Sequence, residues 1–457
     1  EMCIRDSYQS VQAAEADVNI YVAEMRFFRA LEYFNKIQLL GDVPWLEVDL
    51  NVDSEELYGP KMKRNQVFQK IIEDLDFAIQ WLPEAGSEEA NRLNKDIARH
   101  VKARFCLNEG THYKYHDELE YASEAEKWLQ MAATESDKLI TSRRYEIYNT
   151  GHPQEDYFNM YRIDDKSDLK EAVLYVDYKT NIREHNMAAA GREAGCGFSK
   201  SFVESFLCSD GLPISLSNKY LGDETMRKET ANRDPRLKQL ILTNDFPTNV
   251  TDDLKDSTFV VNEDEFITQH CFTGYRPIKG FNPIYSQALY MKSSFDGIAY
   301  RYAETLLINA EAKAELNTIT NADLDRTVNQ LRDRVGMPHL TVNVGFTDPK
   351  WPDWGYSLSP VLQEIRRERC IELAGEGFRF NDLKRWKAGK LLNNVLTYVG
   401  KRKPDGNLAI VYPNYTNPDL SYQAGKSRTW EDKMYLYPIP TGELQRNPQL
   451  LPQNPGW

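Results

Sequence analysis

The residues best equipped for chemistry lie in one short stretch in the last quarter of the chain. Ten of the 21 residues between positions 366 and 386 are charged, and large apolar residues stand between them. The charged positions are Arg366, Arg367, Glu368, Arg369, Glu372, Glu376, Arg379, Asp382, Lys384 and Arg385. Such a mixture has three candidate roles: a catalytic pair of carboxylates, a surface that binds nucleic acid, or a network of structural ion pairs.

Glu368 and Glu372 are the candidates for a catalytic acid and base, because a spacing of four places both on one face of a helix. Arg366, Arg367 and Arg369 bracket them and would keep both carboxylates ionised, whereas a general acid needs a raised pKa. The mixed signs also argue against nucleic acid, which requires a one-sided positive surface. The stretch therefore favours a structural network of arginine–carboxylate pairs, with contact to a partner as the remaining alternative.

The composition of the whole chain limits the classes of protein to which it can belong. It has 457 residues, of which 41% are hydrophobic and 27% charged, as is typical of a folded globular chain. A net charge of −13 argues against nucleic acid as a general partner. No apolar run approaches the ~20 residues that span a bilayer. His112 and His116 have metal-binding spacing but no third ligand nearby, so we interpret them as surface histidines and predict no metal or cofactor.

Apolar periodicity predicts helices at both ends of the chain. Phe27, Leu31, Phe34 and Ile37 recur on one helical face, and Gly41 ends that helix. Similar patterns predict helices over residues 67–82, 96–113, 122–140, 303–314 and 324–335.

The region between these helices has a different pattern, in which short apolar pieces alternate with Gly, Asn and Pro. This pattern favours long ordered loops with a few short strands. We therefore predict a mainly α fold in which tetratricopeptide-like helix pairs flank a long loop-rich insertion. The chain is interpreted as a single domain, helical over residues 8–144 and 301–392 and loop-rich over residues 145–300 and 393–457.

The segment IRRERCIELAGEGFRFNDLKRW resembles the RRERxxELxxEGxRFxDLxRW block of the SusD/RagB family. Four other segments agree with that family in the same order along the chain. They are AEMRFFRALEYFNKIQLLGDVPW, VFQKIIEDLDFAIQWLP, YRYAETLLINAEAKAEL followed by NQLRDRVGMPHLT, and YLYPIPTGELQRNPQLLPQNPGW. These blocks extend from Ala23 to Trp457, so nearly the whole chain carries the resemblance.

The resemblance implies a SusD-like lipoprotein on the outer face of the outer membrane of Gram-negative bacteria. Such proteins bind a nutrient oligosaccharide or polysaccharide and deliver it, without catalysis, to a SusC-like TonB-dependent transporter. Members of the family begin with a signal peptide and a lipidated cysteine. We therefore expect this chain to be truncated at its N-terminus, with the lipid anchor outside it.

The resemblance also implies where a ligand would bind. One element of the site follows the GDVP turn in relatives, which here points to Trp45, Asp49, Asn51 and Tyr58. Sugar rings present apolar C–H faces that stack on Trp or Tyr, while polar side chains bond the hydroxyl groups. Further candidates are aromatic residues expected in exposed loops, namely Tyr285, Tyr290, Trp351 and Trp354.

Three other functions stay open on the sequence alone. Capture of peptides or protein fragments on the same fold would be indicated by an arginine-rich charged pocket. An all-α glycoside hydrolase would need two carboxylates across a cleft, and the sequence offers no candidate pair without arginine neighbours. The last alternative is a helical-repeat scaffold that binds no ligand.

Overall fold

The computed structural model describes residues 15–48, 50–87, 91–188, 197–252, 255–268, 271–410 and 429–457. Within these residues the predicted mainly α fold with a few short strands is confirmed. The chain divides into two units, and the prediction of a single domain stays a prediction. Unit 1 comprises Glu1–Leu139, Lys384–Lys387 and Trp430–Trp457, and unit 2 comprises Ile140–Leu383 and Ala388–Thr429.

The helices are numbered in chain order. They are α1 (Glu15–Leu40), α2 (Arg64–Trp81), α3 (Lys95–Tyr115), α4 (Ala122–Ser142), α5 (Asp156–Asn159), α6 (Lys200–Ser205), α7 (Met226–Thr230), α8 (Arg236–Leu240), α9 (Tyr285–Ala288), α10 (Tyr302–Glu315), α11 (Asn321–Asp325), α12 (Val328–Arg334), α13 (Pro360–Glu372), α14 (Arg379–Arg385) and α15 (Thr441–Arg446). Within the described residues, none of them has both the length and the apolar character needed to cross a bilayer.

The strands form three small antiparallel pairs, all of them in unit 2. They are β1 (Ala172–Val176) with β4 (Gly297–Arg301), β2 (Pro247–Val250) with β3 (Ser257–Phe259), and β5 (Val399–Arg402) with β6 (Leu408–Ile410). Each pair has an irregular register. The pair β5–β6 lies after α14, whereas the other two pairs lie in or at the end of the loop-rich insertion.

Helices α1, α2 and α3 pack in succession and form the core of unit 1. Phe27, Phe34 and Ile37 of α1 are buried as their spacing predicts, and Phe34 stacks on Phe105 of α3 with ring centroids 3.7 Å apart. Gly41 ends α1 as predicted, because its φ of +77° leaves the helix while its N–H still bonds the carbonyl of Ile37 at 3.0 Å.

The predicted bounds of the next helices hold to within two residues for α3 and α4. The apolar face of α2 is fully buried at Val67, Ile71, Leu75 and Ala78. Helix α3 begins after Asn94, whose side-chain oxygen accepts the N–H of Ile97 at 3.0 Å, a typical N-cap. Local periodicity and capping therefore fix the helix pairs of unit 1.

The core of unit 2 contains α10, which packs against α12 and α13. Its small residues Ala303 and Ala310 are fully buried, which lets the neighbouring helices approach closely. The prediction of one helix over residues 324–335 is wrong. At Thr327 the backbone leaves helical geometry (φ −131°, ψ −97°), and the Thr327 hydroxyl donates to the carbonyl of Asp323 at 2.5 Å, so α11 and α12 are separate helices.

Candidate functional site

Glu372, the last residue of α13, is the centre of a buried charge cluster in unit 2. Its carboxylate accepts hydrogen bonds from Arg334 at 2.6 and 2.7 Å, from Arg301 at 2.7 Å and from Arg236 at 2.9 Å. Arg301 also donates to Glu171 at 3.0 Å. All five side chains are 2% exposed or less. Such complete pairing is what keeps a buried charge tolerable.

Glu376 extends this cluster to the turn that follows α13. Arg301 donates to both of its oxygens, at 2.7 and 2.9 Å, and Lys279 donates from Nζ at 2.6 Å. The Lys279 ammonium also contacts the hydroxyl oxygen of Tyr157 at 2.8 Å. Burial lowers the pKa of Lys279 to about 8, against the opposing pull of Glu376.

Glu368 belongs to the same cluster one helical turn earlier. It pairs with Arg236, which also pairs with Asp234 at 2.7 Å, and with Arg332 at 3.0 Å. The predicted structural ion-pair network is therefore confirmed. The prediction that the arginines of its own stretch neutralise Glu368 and Glu372 is wrong, because all of the partners described here come from other segments.

Three arginines of the stretch, Arg366, Arg367 and Arg369, pair with carboxylates other than Glu368 and Glu372. Arg367 is turned by about 100° from Arg366 along the helix, whereas Arg369, three positions after Arg366, shares its face and lies 3.8 Å from Glu311 of α10. The carboxylate partners of the three arginines are, in turn, Glu315 at 2.9 Å, Asp348 at 2.6 Å and Asp382 at 3.0 Å.

The electrostatics of the cluster determine what Glu372 can do. Burial alone would raise the pKa of its carboxyl group, but the guanidinium groups of Arg334, Arg301 and Arg236 outweigh burial and hold that pKa well below its ordinary value. Glu372 is fully buried and Glu368 is 2% exposed. Neither carboxylate is accessible to a substrate, and Glu372 has no proton to donate near neutral pH.

The GDVP turn in unit 1 places Trp45 against Tyr33, with ring centroids 4.2 Å apart and planes tilted by 38°. The indole Nε1 donates to Glu47 Oε1 at 2.7 Å, and that oxygen also accepts from Lys70 at 2.9 Å. The guanidinium of Arg29 lies 5.0 Å from the indole centroid. Trp45 is half-buried and held on several sides, so its accessible part has a fixed orientation.

The loop after Trp45 presents two of the other predicted residues to solvent. Asn51 is exposed and stabilises the loop, because its Oδ1 accepts the N–H of Asp53 at 2.9 Å and its own N–H donates to Ser54 Oγ at 2.8 Å. Tyr58 ends the short 3-10 turn that follows and is 47% exposed. The candidate Asp49 lies outside the described residues.

Tyr285 and Tyr290 lie on and just after α9 in unit 2. Their exposed fractions are 51% and 75%, respectively, so the expectation of exposed aromatic side chains is met at both. The N–H of Met291 donates to Asn186 Oδ1 at 3.0 Å and ties this segment to a neighbouring loop. The structure therefore presents two tyrosine rings to water on a braced loop.

Trp351 and Trp354 differ from the expectation of exposed loop aromatics. Trp354 is 6% exposed, its Nε1 donates to Gln363 Oε1 at 2.6 Å, and its ring lies 4.8 Å from the Arg366 guanidinium. The expectation of an exposed Trp354 is wrong, because the ring covers a buried arginine. Trp351 is half-buried, and its Nε1 donates to Glu364 at 2.7 Å.

Two exposed aromatic residues that the sequence analysis did not select, Tyr437 and Trp457, lie in unit 1. They are 51% and 48% exposed. All eight tryptophans lie in the part of the chain that the structure describes, and the seven others are buried or half-buried. The sequence signal was the position of each aromatic beside turn residues, Pro438 after Tyr437 and Gly456 before Trp457.

The interpretation of His112 and His116 as surface histidines is wrong. They are 6% and 1% exposed, and their rings lie with centroids 4.0 Å apart and planes tilted by 31°. His116 bonds the carbonyl of Lys384 through Nε2 and Glu118 through Nδ1, both at 2.8 Å. Among the residues that the structure describes, no group of His, Cys, Asp and Glu is placed to hold a metal ion.

The described residues form a helical scaffold with paired helices, and aromatic residues are exposed on its loops. Its charge cluster is buried, so Glu368 and Glu372 are not an accessible catalytic pair. The model of the SusD family matches residues 139–457, which is more than half of the sequence. The chain belongs to the SusD family.

Relatives agree with this assignment along nearly the whole chain. The chain is 25% identical over 456 residues to SusD-like protein P2 of Formosa agariphila, and the match covers 97% of this chain and 75% of that protein. A SusD-like protein from Bacteroides fragilis superposes with a TM-score of 0.73 at 23% identity, covering 100% of this chain and 83% of that one. A SusD-like carbohydrate binding protein from the same species superposes with a TM-score of 0.71 at 21% identity. The match covers 96% of this chain and 81% of that one.

Proposed function

We propose that this protein binds a nutrient oligosaccharide or polysaccharide at the cell surface and delivers it, without catalysis, to a SusC-like TonB-dependent transporter. Membership of the SusD family is the observation that carries the proposal. One of the similar structures, from Bacteroides fragilis, is named as a carbohydrate binding protein. Attachment to the outer membrane through an N-terminal lipid outside this chain is part of the same proposal.

Trp45 is the first residue that we propose for the saccharide site. A half-buried indole, fixed by Tyr33 and by its hydrogen bond to Glu47, offers a preorganised surface to the C–H face of a sugar ring. Asn51 and Tyr58, exposed on the loop that follows, supply groups that bond sugar hydroxyls. Asp49 is proposed for the same role from its place in the sequence.

Tyr285 and Tyr290 are proposed as a second group of contacts, in unit 2. Their exposed rings and phenol hydroxyls can stack on a sugar and bond its hydroxyls at the same time. Trp351 is retained as a weaker candidate because its ring is half-buried. Trp354 is removed from the proposed site, since its ring is buried against Arg366.

We propose the absence of catalysis because the carboxylates of the charged stretch, Glu368 and Glu372, are buried and paired with arginines. Hydrolysis of a glycosidic bond needs a protonated carboxylic acid and a second carboxylate on opposite sides of the bond. Glu368 and Glu372 are buried among arginines, and the pKa of Glu372 is held well below its ordinary value. Arg366, Arg367 and Arg369 are likewise engaged in buried pairs, which argues against their forming an arginine-rich pocket for peptides.

The proposal is tested with native gels that contain starch, xyloglucan, laminarin or alginate. We expect the wild-type protein to be retarded by at least one polysaccharide, and chromatography after incubation to show no shortened saccharide. The same protein is titrated with a mixed peptide digest. Retardation by no polysaccharide, together with peptide binding, would contradict the carbohydrate proposal, and release of shortened saccharides would contradict the absence of catalysis.

A further inference from the structure

We propose that Trp457 and Tyr437 form an additional saccharide-stacking surface in unit 1. This inference rests on the proposed carbohydrate function and adds to it a place that neither the family resemblance nor the sequence analysis indicated. Both side chains have about half of their surface exposed to solvent, at 48% and 51%. A single exposed ring is normal, but two exposed aromatic rings on segments that are hydrogen-bonded to each other are a candidate binding surface.

The indole of Trp457 is fixed by the backbone beneath it. Its Nε1 lies 3.0 Å from the carbonyl oxygens of both Lys433 and Leu436, and its backbone N–H donates to the carbonyl of Asn454 at 3.2 Å. The polar N–H of the indole is therefore already used within the protein. What remains for a ligand is the apolar surface of the ring, whose orientation is set before binding.

Gly456 explains how the chain brings the indole onto those carbonyls. Its φ is +83°, a conformation that L side chains rarely adopt. A Cβ atom at this position would lie 2.8 Å from the Cβ of Lys433, so the glycine is also required for the close approach of the two segments. The exposed indole is thus the product of a specific turn.

Tyr437 is joined to the same turn through Asn454. The Asn454 side chain donates from Nδ2 to the carbonyl of Tyr437 at 2.6 Å, while the N–H of Tyr437 donates to the carbonyl of Leu39 at the end of α1 at 2.8 Å. The backbones that carry both aromatic rings are therefore fixed to each other and to the helical core of unit 1. Tyr437 adds a hydroxyl group that can bond a sugar hydroxyl.

The charged neighbours of the indole indicate which saccharides would bind. Lys433 Nζ lies 5.0 Å from the Trp457 ring centroid and 3.1 Å from Glu431 Oε2. Because these opposite charges offset each other, the surroundings of the indole have no net attraction for an anion. The Lys384 ammonium lies 5.8 Å from the Tyr437 ring centroid, but this lysine is buried and donates to the carbonyl of Gln38 at 2.9 Å within the protein. We therefore assign a neutral saccharide to this surface, with binding that changes little when the salt concentration rises.

The test compares the retardation of variants in native gels containing starch, xyloglucan or laminarin, with alginate as the anionic probe. Trp457→Ala is expected to weaken retention of a neutral polysaccharide bound by the wild type about three- to tenfold, the range for loss of one aromatic contact. Tyr437→Ala, which leaves the indole and its hydrogen bonds in place, is expected to weaken it about two- to threefold. Val261→Ala, at a residue that is 75% exposed in unit 2, serves as the control and leaves retention unchanged.

Weaker retention of a neutral polysaccharide by either folded variant supports the inference. If Trp457→Ala and Tyr437→Ala, both folded by circular dichroism, are retained like the wild type, the inference is overturned and the proposed function stands. If both variants weaken retention of alginate alone, the assignment of a neutral saccharide is overturned. If the wild type is retained by none of the polysaccharides, both the proposed function and this inference fail. Should Trp457→Ala be unfolded, Tyr437→Ala alone decides.

Discussion

The charge cluster around Glu372 and the aromatic residues around Trp45 and Trp457 both consist of side chains that active sites and binding sites use. They differ in their access to water. Glu372 and the arginines around it are buried and paired, whereas the aromatic residues keep much of their surface exposed. Residue type therefore suggests a chemistry, while exposure and unused bonding capacity decide whether a ligand can reach the residue.

The energetics of the two regions explain this difference. Burying a carboxylate such as Glu372 is energetically unfavourable unless arginines surround it, so its hydrogen-bonding capacity is used within the fold. An exposed ring such as Trp457 gives up stabilisation, since burying a large apolar side chain contributes about 1.5–3 kcal/mol.

Breaking the charge cluster is the change with the largest expected effect. Glu372→Ala leaves three buried guanidinium groups short of a partner and should lower the free energy of unfolding by about 3–5 kcal/mol. Urea denaturation, monitored by circular dichroism, measures this change in the free energy of unfolding. Glu443→Ala, which breaks the exposed pair with Arg446, is the control and should change little. Equal losses in the two variants would remove the distinction between buried and exposed charge.

A buried aromatic residue should behave like the cluster and unlike the exposed rings. Trp354→Ala removes a ring that covers Arg366 and should lower the free energy of unfolding by about 3–4 kcal/mol. At a temperature where the variant is folded, its retention by polysaccharide gels should match the wild type. Weaker retention with unchanged stability would return Trp354 to the proposed site.

His112 gives a further case, because its side chain is buried and lies near several cationic side chains. Burial lowers the pKa of His112 well below 6.5, and Arg64 and His116 lower it further. The unfolded chain therefore takes up a proton near pH 6 that the folded protein does not bind. The contribution of His112 to stability is present above its ordinary pKa and declines as the pH falls below it.

Urea denaturation between about pH 8 and about pH 5 measures this decline. His112→Gln should flatten the dependence on pH, because the amide that replaces the imidazole does not titrate. A variant with the same slope as the wild type would show that other groups cause the acid sensitivity.

Removing the half-buried ring of Trp45 at the predicted site should have the smallest effect on the fold. Trp45→Ala is expected to weaken retention by a bound polysaccharide about three- to tenfold, while Trp45→Phe keeps part of the stacking surface and loses less. Native gels measure the first effect and thermal unfolding the stability of each variant. Unchanged retention in Trp45→Ala would remove this residue from the site.

The helices could be predicted because their signals are local. The buried face of α2 at Val67, Ile71 and Leu75 and the end of α1 at Gly41 follow from spacing and backbone geometry alone. The break at Thr327 could not be predicted from apolar spacing, which continues through it. The buried histidines His112 and His116 were misjudged because α3 is covered on several sides, a property of its neighbours.

The charged stretch was predicted in kind but not in detail. Mixed signs indicated structural pairing, whereas the partners of Glu372 include Arg301 and Arg236, which are 71 and 136 residues away along the chain. The exposure of the aromatic candidates could not be predicted either, because it also depends on contacts that the local sequence pattern does not show. Whether a loop tryptophan is buried, as Trp354 is, or exposed, as Trp457 is, depends on how the loop folds onto its neighbours, which apolar spacing does not show.

The charge cluster has a consequence for how unit 2 reaches its native state. Glu171, Arg236, Arg301, Arg334 and Glu372 come from five separate segments, so the network closes only when all five have assembled. A partly assembled intermediate would hold an uncompensated charge in its interior, which is strongly unfavourable. These segments should therefore fold cooperatively and slowly, since loops of more than a hundred residues must close before the last pair forms.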